Sequence, residues 1–110
     1  MSRSDVLERL FGVIEARKAE RPAGSYVVQL LDGGVEAVAA KVIEESHEVI
    51  EAAGLNDPEE LAREVADLVF HLWVLLAERG VNPSAVYEVL EGRFGIGGLV
   101  EKASRGPENE

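Results

Sequence analysis

One segment limits what this chain can fold into. Asp57-Pro58-Glu59-Glu60 is followed by nineteen residues of helical character that stop at Gly80. Asp57 suits an N-cap, Pro58 suits the first helical position, and Glu60 stands at capping-box spacing. From Val65 to Ala77 the only polar side chains are Asp67 and His71. Apolar residues point in every other direction, so the helix is expected to be buried most of the way round. A carboxylate in such a helix is costly unless it is paired or holds a cation.

The preceding helix carries the matching half. It is expected from about Val35 to Ala53, with Gly54 as its C-cap. Lys41, Glu44, Glu45 and Glu48 fall within an arc of about 100° on it. The apolar set Val35, Val38, Val42, Val49, Ile50 and Ala53 centres on the other side, with Glu45 at the border. On the following helix Glu64, Asp67 and His71 fall within about 60° of one another. Two acid pairs on consecutive antiparallel helices would make a four-carboxylate cluster.

Acidic helix faces are usually solvated surface, and one E-x-x-E alone carries little weight. Asp67, with its apolar surroundings, and the coincidence of two pairs set this chain apart from that case. Clustered carboxylates repel and retain protons unless a cation lies among them. With no cysteine and no histidine cluster, zinc is a poor fit, and oxygen-only ligands suit Mg²⁺ or Mn²⁺. Such an ion orients phosphates and acidifies a bound water, which points to phosphate-ester or anhydride chemistry. Plainer readings stand beside this one. Lys41 is equally suited to pairing with Glu45 four residues on, and His71 to being a satisfied core histidine. His47 lies off the acid face, and Phe70 and Trp73 read as packing residues.

The remaining segments complete an all-α bundle of about five helices. Ser2 or Ser4 is expected to cap a first helix that Pro22 and Gly24 end. Ser25 caps a short second helix, Tyr26 to Leu31, although Tyr-Val-Val also suits a strand. Asp32-Gly33-Gly34 breaks the chain, and Asn82-Pro83 opens a fifth helix reaching roughly Arg93. The reading divides the chain into a helical domain over 1–94 and a flexible tail over 95–110, rich in glycine. With 110 residues the core is modest. A net charge of -10, from 21 acids against 11 Lys+Arg, disfavours nucleic-acid backbones. No export signal or bilayer-length apolar run is seen, so a cytoplasmic location is expected.

Glu44-Glu45-x-x-Glu48 with Glu64-x-x-Asp67 resembles the signature of the MazG-like all-α nucleoside triphosphate pyrophosphohydrolases. Within that superfamily the chain most resembles the phosphoribosyl-ATP pyrophosphohydrolases of histidine biosynthesis. The likeness runs through Gly24-Ser25-Tyr26, Lys41-Val42-Ile43-Glu44-Glu45, Glu64 to Leu72, and the tail Arg93-Phe94-Gly95 with Gly98 to Lys102. Gly97 departs from it, standing where a serine is expected.

The resemblance implies that Glu45, Glu48, Glu64 and Asp67 bind Mg²⁺, and that Glu44 either supports or joins these ligands and, with Glu45, is a candidate for orienting the attacking water. It implies Lys41 against the triphosphate, and Ser25, Tyr26 and His71 at the substrate. It also implies a homodimer that completes the core. Arg93, Lys102 and Arg105 are expected to close over the substrate on grounds of charge alone. The implied reaction is hydrolysis of phosphoribosyl-ATP to phosphoribosyl-AMP and pyrophosphate. The acids alone leave open a house-cleaning (d)NTP pyrophosphohydrolase or a non-catalytic helical dimer.

Overall fold

The computed structural model describes residues 5–94. Among them are five helices and no strand: α1 Val6–Glu20, α2 Tyr26–Asp32, α3 Gly34–Ala53, α4 Pro58–Arg79 and α5 Ser84–Phe94. The expected all-α bundle is what forms. The serines proposed as the first cap and the glycine-rich tail lie outside the described residues.

Local chemistry accounts for most boundaries. Asp57 Oδ1 accepts from the backbone N–H groups of Glu59 (3.1 Å) and Glu60 (3.2 Å), satisfying donors that α4 leaves unpaired. The Glu60 carboxylate turns to Arg63 at 2.7 Å. Gly80, at φ 70°, stops α4 in the left-handed region, and its N–H donates to Ala77. Ser25 Oγ accepts from Val28 N at 3.3 Å and opens α2. Asn82 Oδ1 accepts from Ser84 N at 2.9 Å and opens α5. α1 ends at Glu20, just before the expected Pro22, with Arg21 in the left-handed region at φ 52°. Gly54 follows α3 in right-handed geometry, and the left-handed residue of that turn is Asn56 at φ 58°.

The corner between α2 and α3 is tight. Gly34 has φ 73°, and a Cβ added at Gly33 would stand 2.5 Å from the Ala37 side chain. Both positions therefore call for glycine, one for its torsion and one for space.

α3 and α4 form the most extensive helix pair, with α1 and α2 packed against them. The core is Ile14 of α1, Val27 and Leu30 of α2, Val38 of α3, and Trp73, Val74 and Ala77 of α4. Trp73 Nε1 donates to the Leu7 carbonyl at 3.0 Å, tying α4 to α1. Lys18 Nζ donates to the Ala77 carbonyl at 2.8 Å near the end of α4. Tyr87 brings α5 against the core, its ring 6.5 Å from that of Trp73.

Two burial expectations need correction. α4 is not buried all round: its buried residues are His71, Trp73, Val74 and Ala77, while Asp67 is exposed and Val65 is 41% exposed. The described residues cover α4 toward its C-terminal half and leave much of its N-terminal half open. On α3, Ile50 is 71% exposed, so it does not belong to the core set. The more buried stripe is Val38, Val42, Glu45, Val49 and Ala52, spaced alternately four and three apart. Glu45 is the centre of that stripe rather than its border.

Candidate metal and substrate site

The α3–α4 pairing sets the site. Along α4, Glu64, Asp67, His71 and Val74 recur at the same alternating spacing, so the acids of the two helices meet where the seam would otherwise continue as core. One carboxylate oxygen each from Glu45, Glu64 and Asp67 lie within 4.8 Å of one another. A second group, Glu44, Glu45 and Glu48, meets the same measure. Glu45 belongs to both. All five acids singled out from the sequence are thus gathered.

Glu45 is 7% exposed, and its Oε2 is buried without a hydrogen-bond partner. Burial raises its carboxyl pKa first, followed by repulsion from Glu48 and Asp67. Glu64 Oε1 is likewise buried and unpartnered. Burial and then a hydrogen bond with Glu60, followed by repulsion from Glu48, Glu60 and Asp67, push the Glu64 carboxyl up to about 7. Orphaned buried oxygens on carboxylates that repel one another are what a missing counter-charge leaves behind. The donor set is all oxygen, which fits a hard divalent cation.

The cationic side of the site is Lys41. Its Nζ lies 3.1 Å from Glu44 Oε1, so its partner is three residues on rather than the Glu45 four residues on. That hydrogen bond holds the ammonium pKa above its ordinary value, with smaller contributions from Tyr26, Glu44 and Glu45. Glu44 itself is exposed.

Tyr26, at the start of α2, reaches across to α4. Its Oη lies 2.8 Å from His71 Nε2, and His71 Nδ1 lies 2.8 Å from the Asp67 carbonyl oxygen. The Tyr26 ring stacks on Phe70, with centroids 6.1 Å apart and planes 17° apart. His71 is thus a buried, satisfied histidine, as one reading of the sequence allowed. Ser25 Oγ serves as the helix cap, His47 is exposed and Arg93 is half-buried in the last turn of α5. Lys102, Arg105 and Gly97 lie outside the described residues.

Sequence reasoning overlooked Glu60 as a site neighbour, treating it only as a capping residue. Its spacing of four before Glu64 was the available signal.

A family model described as phosphoribosyl-ATP pyrophosphohydrolase matches residues 7–94. The chain belongs to the phosphoribosyl-ATP pyrophosphohydrolase family. Relatives named phosphoribosyl-ATP pyrophosphatase agree. One from Rhodopirellula baltica is 46% identical over 104 residues, covering 90% of this chain and 85% of the relative. One from Nitrosomonas eutropha is 43% identical, covering 94% and 89%. One from Methylococcus capsulatus is 45% identical, covering 92% and 96%. The phosphoribosyl-ATP pyrophosphohydrolase match takes in every acid of the cluster, together with Lys41, Tyr26 and His71.

Proposed function

We propose that this chain hydrolyses phosphoribosyl-ATP to phosphoribosyl-AMP and pyrophosphate, the second step of histidine biosynthesis. Family membership supports the reaction. The single structural observation that carries it is the pair of buried, unpartnered carboxylate oxygens of Glu45 and Glu64 among three further acids. Such a cluster has no structural benefit in a helix seam.

In this reading Glu45, Glu48, Glu64 and Asp67 hold Mg²⁺, with Mn²⁺ as a chemical substitute. The ion, when bound, neutralises phosphate charge and acidifies a water. The protein groups do the rest. Lys41 meets the polyphosphate with a fixed positive charge. Glu44, exposed beside Glu45, accepts hydrogen from the attacking water and aligns it, with Glu45 beside it. Tyr26 and Ser25 bring α2 to the substrate side, and Arg93, Lys102 and Arg105 supply positive charge from the C-terminal end. The domain over 1–94 holds the chemistry.

The apolar residues Ile43 and Ile50 lie two turns apart on one face of α3 and are 62% and 71% exposed. Their exposure supports a homodimer formed across this face. None of the described helices is long and apolar enough to cross a membrane; the reading places the enzyme in the cytoplasm.

The test is pyrophosphate release from phosphoribosyl-ATP compared with the common dNTPs, with and without Mg²⁺. Turnover restricted to phosphoribosyl-ATP supports the reading. Turnover of several dNTPs and none of phosphoribosyl-ATP overturns the substrate, and no turnover of any overturns the enzyme.

A further inference from the structure

The acid cluster explains why Glu45 and Asp67 are where they are, but not why a histidine is buried beside them. His71 is 5% exposed. Its Nδ1 faces the Asp67 carbonyl oxygen at 2.8 Å. A carbonyl oxygen can only accept, so Nδ1 must carry the hydrogen. The neutral ring then has a lone pair at Nε2. In that neutral tautomer Tyr26 Oη, 2.8 Å away, is the donor to Nε2. The phenol has one hydrogen, and this bond takes it.

The ring cannot easily turn to change partners. It is stacked on Phe70 and meets the His71 ring edge-on, at 84° and 5.7 Å. Yet Tyr26 is 44% exposed, so one side of it is open. It is also close enough to Lys41 to help raise that ammonium's pKa. Beyond the His71 bond, then, the Tyr26 oxygen has lone pairs to offer and no hydrogen. Terminal and bridging phosphate oxygens are acceptors too, and two acceptors repel. A hydroxyl or an amino group suits such an oxygen.

We propose that His71 is a positioning residue that locks the Tyr26 hydroxyl as a hydrogen-bond acceptor, so that this edge of the site takes a sugar hydroxyl or base amino group of the substrate and excludes its phosphates. The phosphates are thereby confined to the side of the acids and Lys41. The proposal rests on the nucleotide-substrate reading above and adds a direction to it: the polyphosphate lies over α3 and α4, and the nucleoside or ribosyl end lies toward the start of α2.

Two measurements test it. In a long-range ¹H–¹⁵N spectrum of the folded wild-type protein at neutral pH, His71 should show Nδ1 protonated and Nε2 bare. A protonated Nε2, alone or in an imidazolium, overturns the lock. In steady-state kinetics, Tyr26→Phe should raise KM for phosphoribosyl-ATP by about 3- to 10-fold, the size of one hydrogen bond, with kcat little changed. His71→Leu should do the same, and His71→Gln, whose amide oxygen can still accept from the phenol, should recover part of the loss. Combined with Tyr26→Phe, His71→Leu should add nothing, because both remove the same contact.

A wild-type KM in Tyr26→Phe, or additive losses in the double variant, overturns the role. If His71→Leu does not fold, the wild-type spectrum and Tyr26→Phe decide the matter. If the wild type ignores phosphoribosyl-ATP but cleaves another triphosphate, the functional reading fails, and the same KM comparison on that triphosphate judges the acceptor role separately.

Discussion

Glu45 and Asp67 bring carboxylate oxygens within 4.8 Å of each other across the α3–α4 seam, although Glu45 is buried and Asp67 is exposed. Glu45 is thus the desolvated carboxylate of the pair and Asp67 the one open to solvent. Glu45→Gln and Asp67→Asn should each lower kcat by about 100-fold or more, the scale of losing one charge-stabilising group at a reacting centre. Both should keep the wild-type far-UV circular dichroism. Near-normal turnover in either variant would exclude that residue from the chemistry.

Glu64 predicts an unusual pH dependence for the ion-free protein. Its folded pKa is pushed up to about 7 from an ordinary 4.5. Between these values the folded chain holds a proton that the unfolded chain has released. Stability from this group is therefore complete below the lower value and lost as pH rises through the upper one. Glu45, also raised, acts in the same direction. Chelator-treated protein should melt at higher temperature near about pH 5.5 than near about pH 8, and Glu64→Gln should reduce the difference. A melting temperature that climbs with pH across this range contradicts the account.

Mg²⁺ should stabilise the folded chain at neutral pH, because only the folded chain gathers the acids. At about 100 times the dissociation constant the gain is roughly 2.7 kcal/mol. In a domain of this size that corresponds to a melting shift on the order of 10 °C. Differential scanning fluorimetry with Mg²⁺ against a matched concentration of Na⁺ salt would measure it. The shift should shrink in Glu45→Gln, and equal shifts in both proteins would place the ion elsewhere.

Val74 separates packing from chemistry. It is fully buried and lies one turn beyond His71 on α4. Val74→Ala removes two buried methyl groups' worth of contact and should cost about 2 kcal/mol. The expected result is a lower midpoint in urea with kcat unchanged at temperatures where the variant stays folded.

The exposed isoleucines of α3 predict the oligomeric state. Sedimentation velocity should give a two-chain mass for the wild type, and Ile50→Asp should shift it toward one chain. A wild-type protein that sediments as one chain at micromolar concentration would contradict the proposed interface.

The helices, their order and the membership of the acid cluster were legible in the chain because each depends on local spacing and capping chemistry. Burial was not read correctly. An all-round apolar α4 suggested that Asp67 was enclosed, yet among the described residues much of the apolar surface of its N-terminal half is exposed. The four-and-three spacing of Val38, Val42, Glu45, Val49 and Ala52 makes Glu45 a seam residue, yet the sequence reading set it at the border. Counting Ile50 as core pulled the estimated face away from it. The Tyr26–His71 hydrogen bond, between residues 45 apart, depends on how α2 folds back over α4. No local pattern contains that information.

The corner at Gly33 and Gly34 therefore has a reach beyond its own turn. It has no chemistry to offer a nucleotide, yet it sets the angle at which α2 leaves α3, and with it the place where Tyr26 meets His71. Side-chain bulk at Gly33 would press on Ala37, and the relief of that pressure would swing α2 as a lever. Natural drift at this corner should consequently be as restricted as at the acids, and a variant there would present as a loss of substrate affinity in a chain whose carboxylates are all in place.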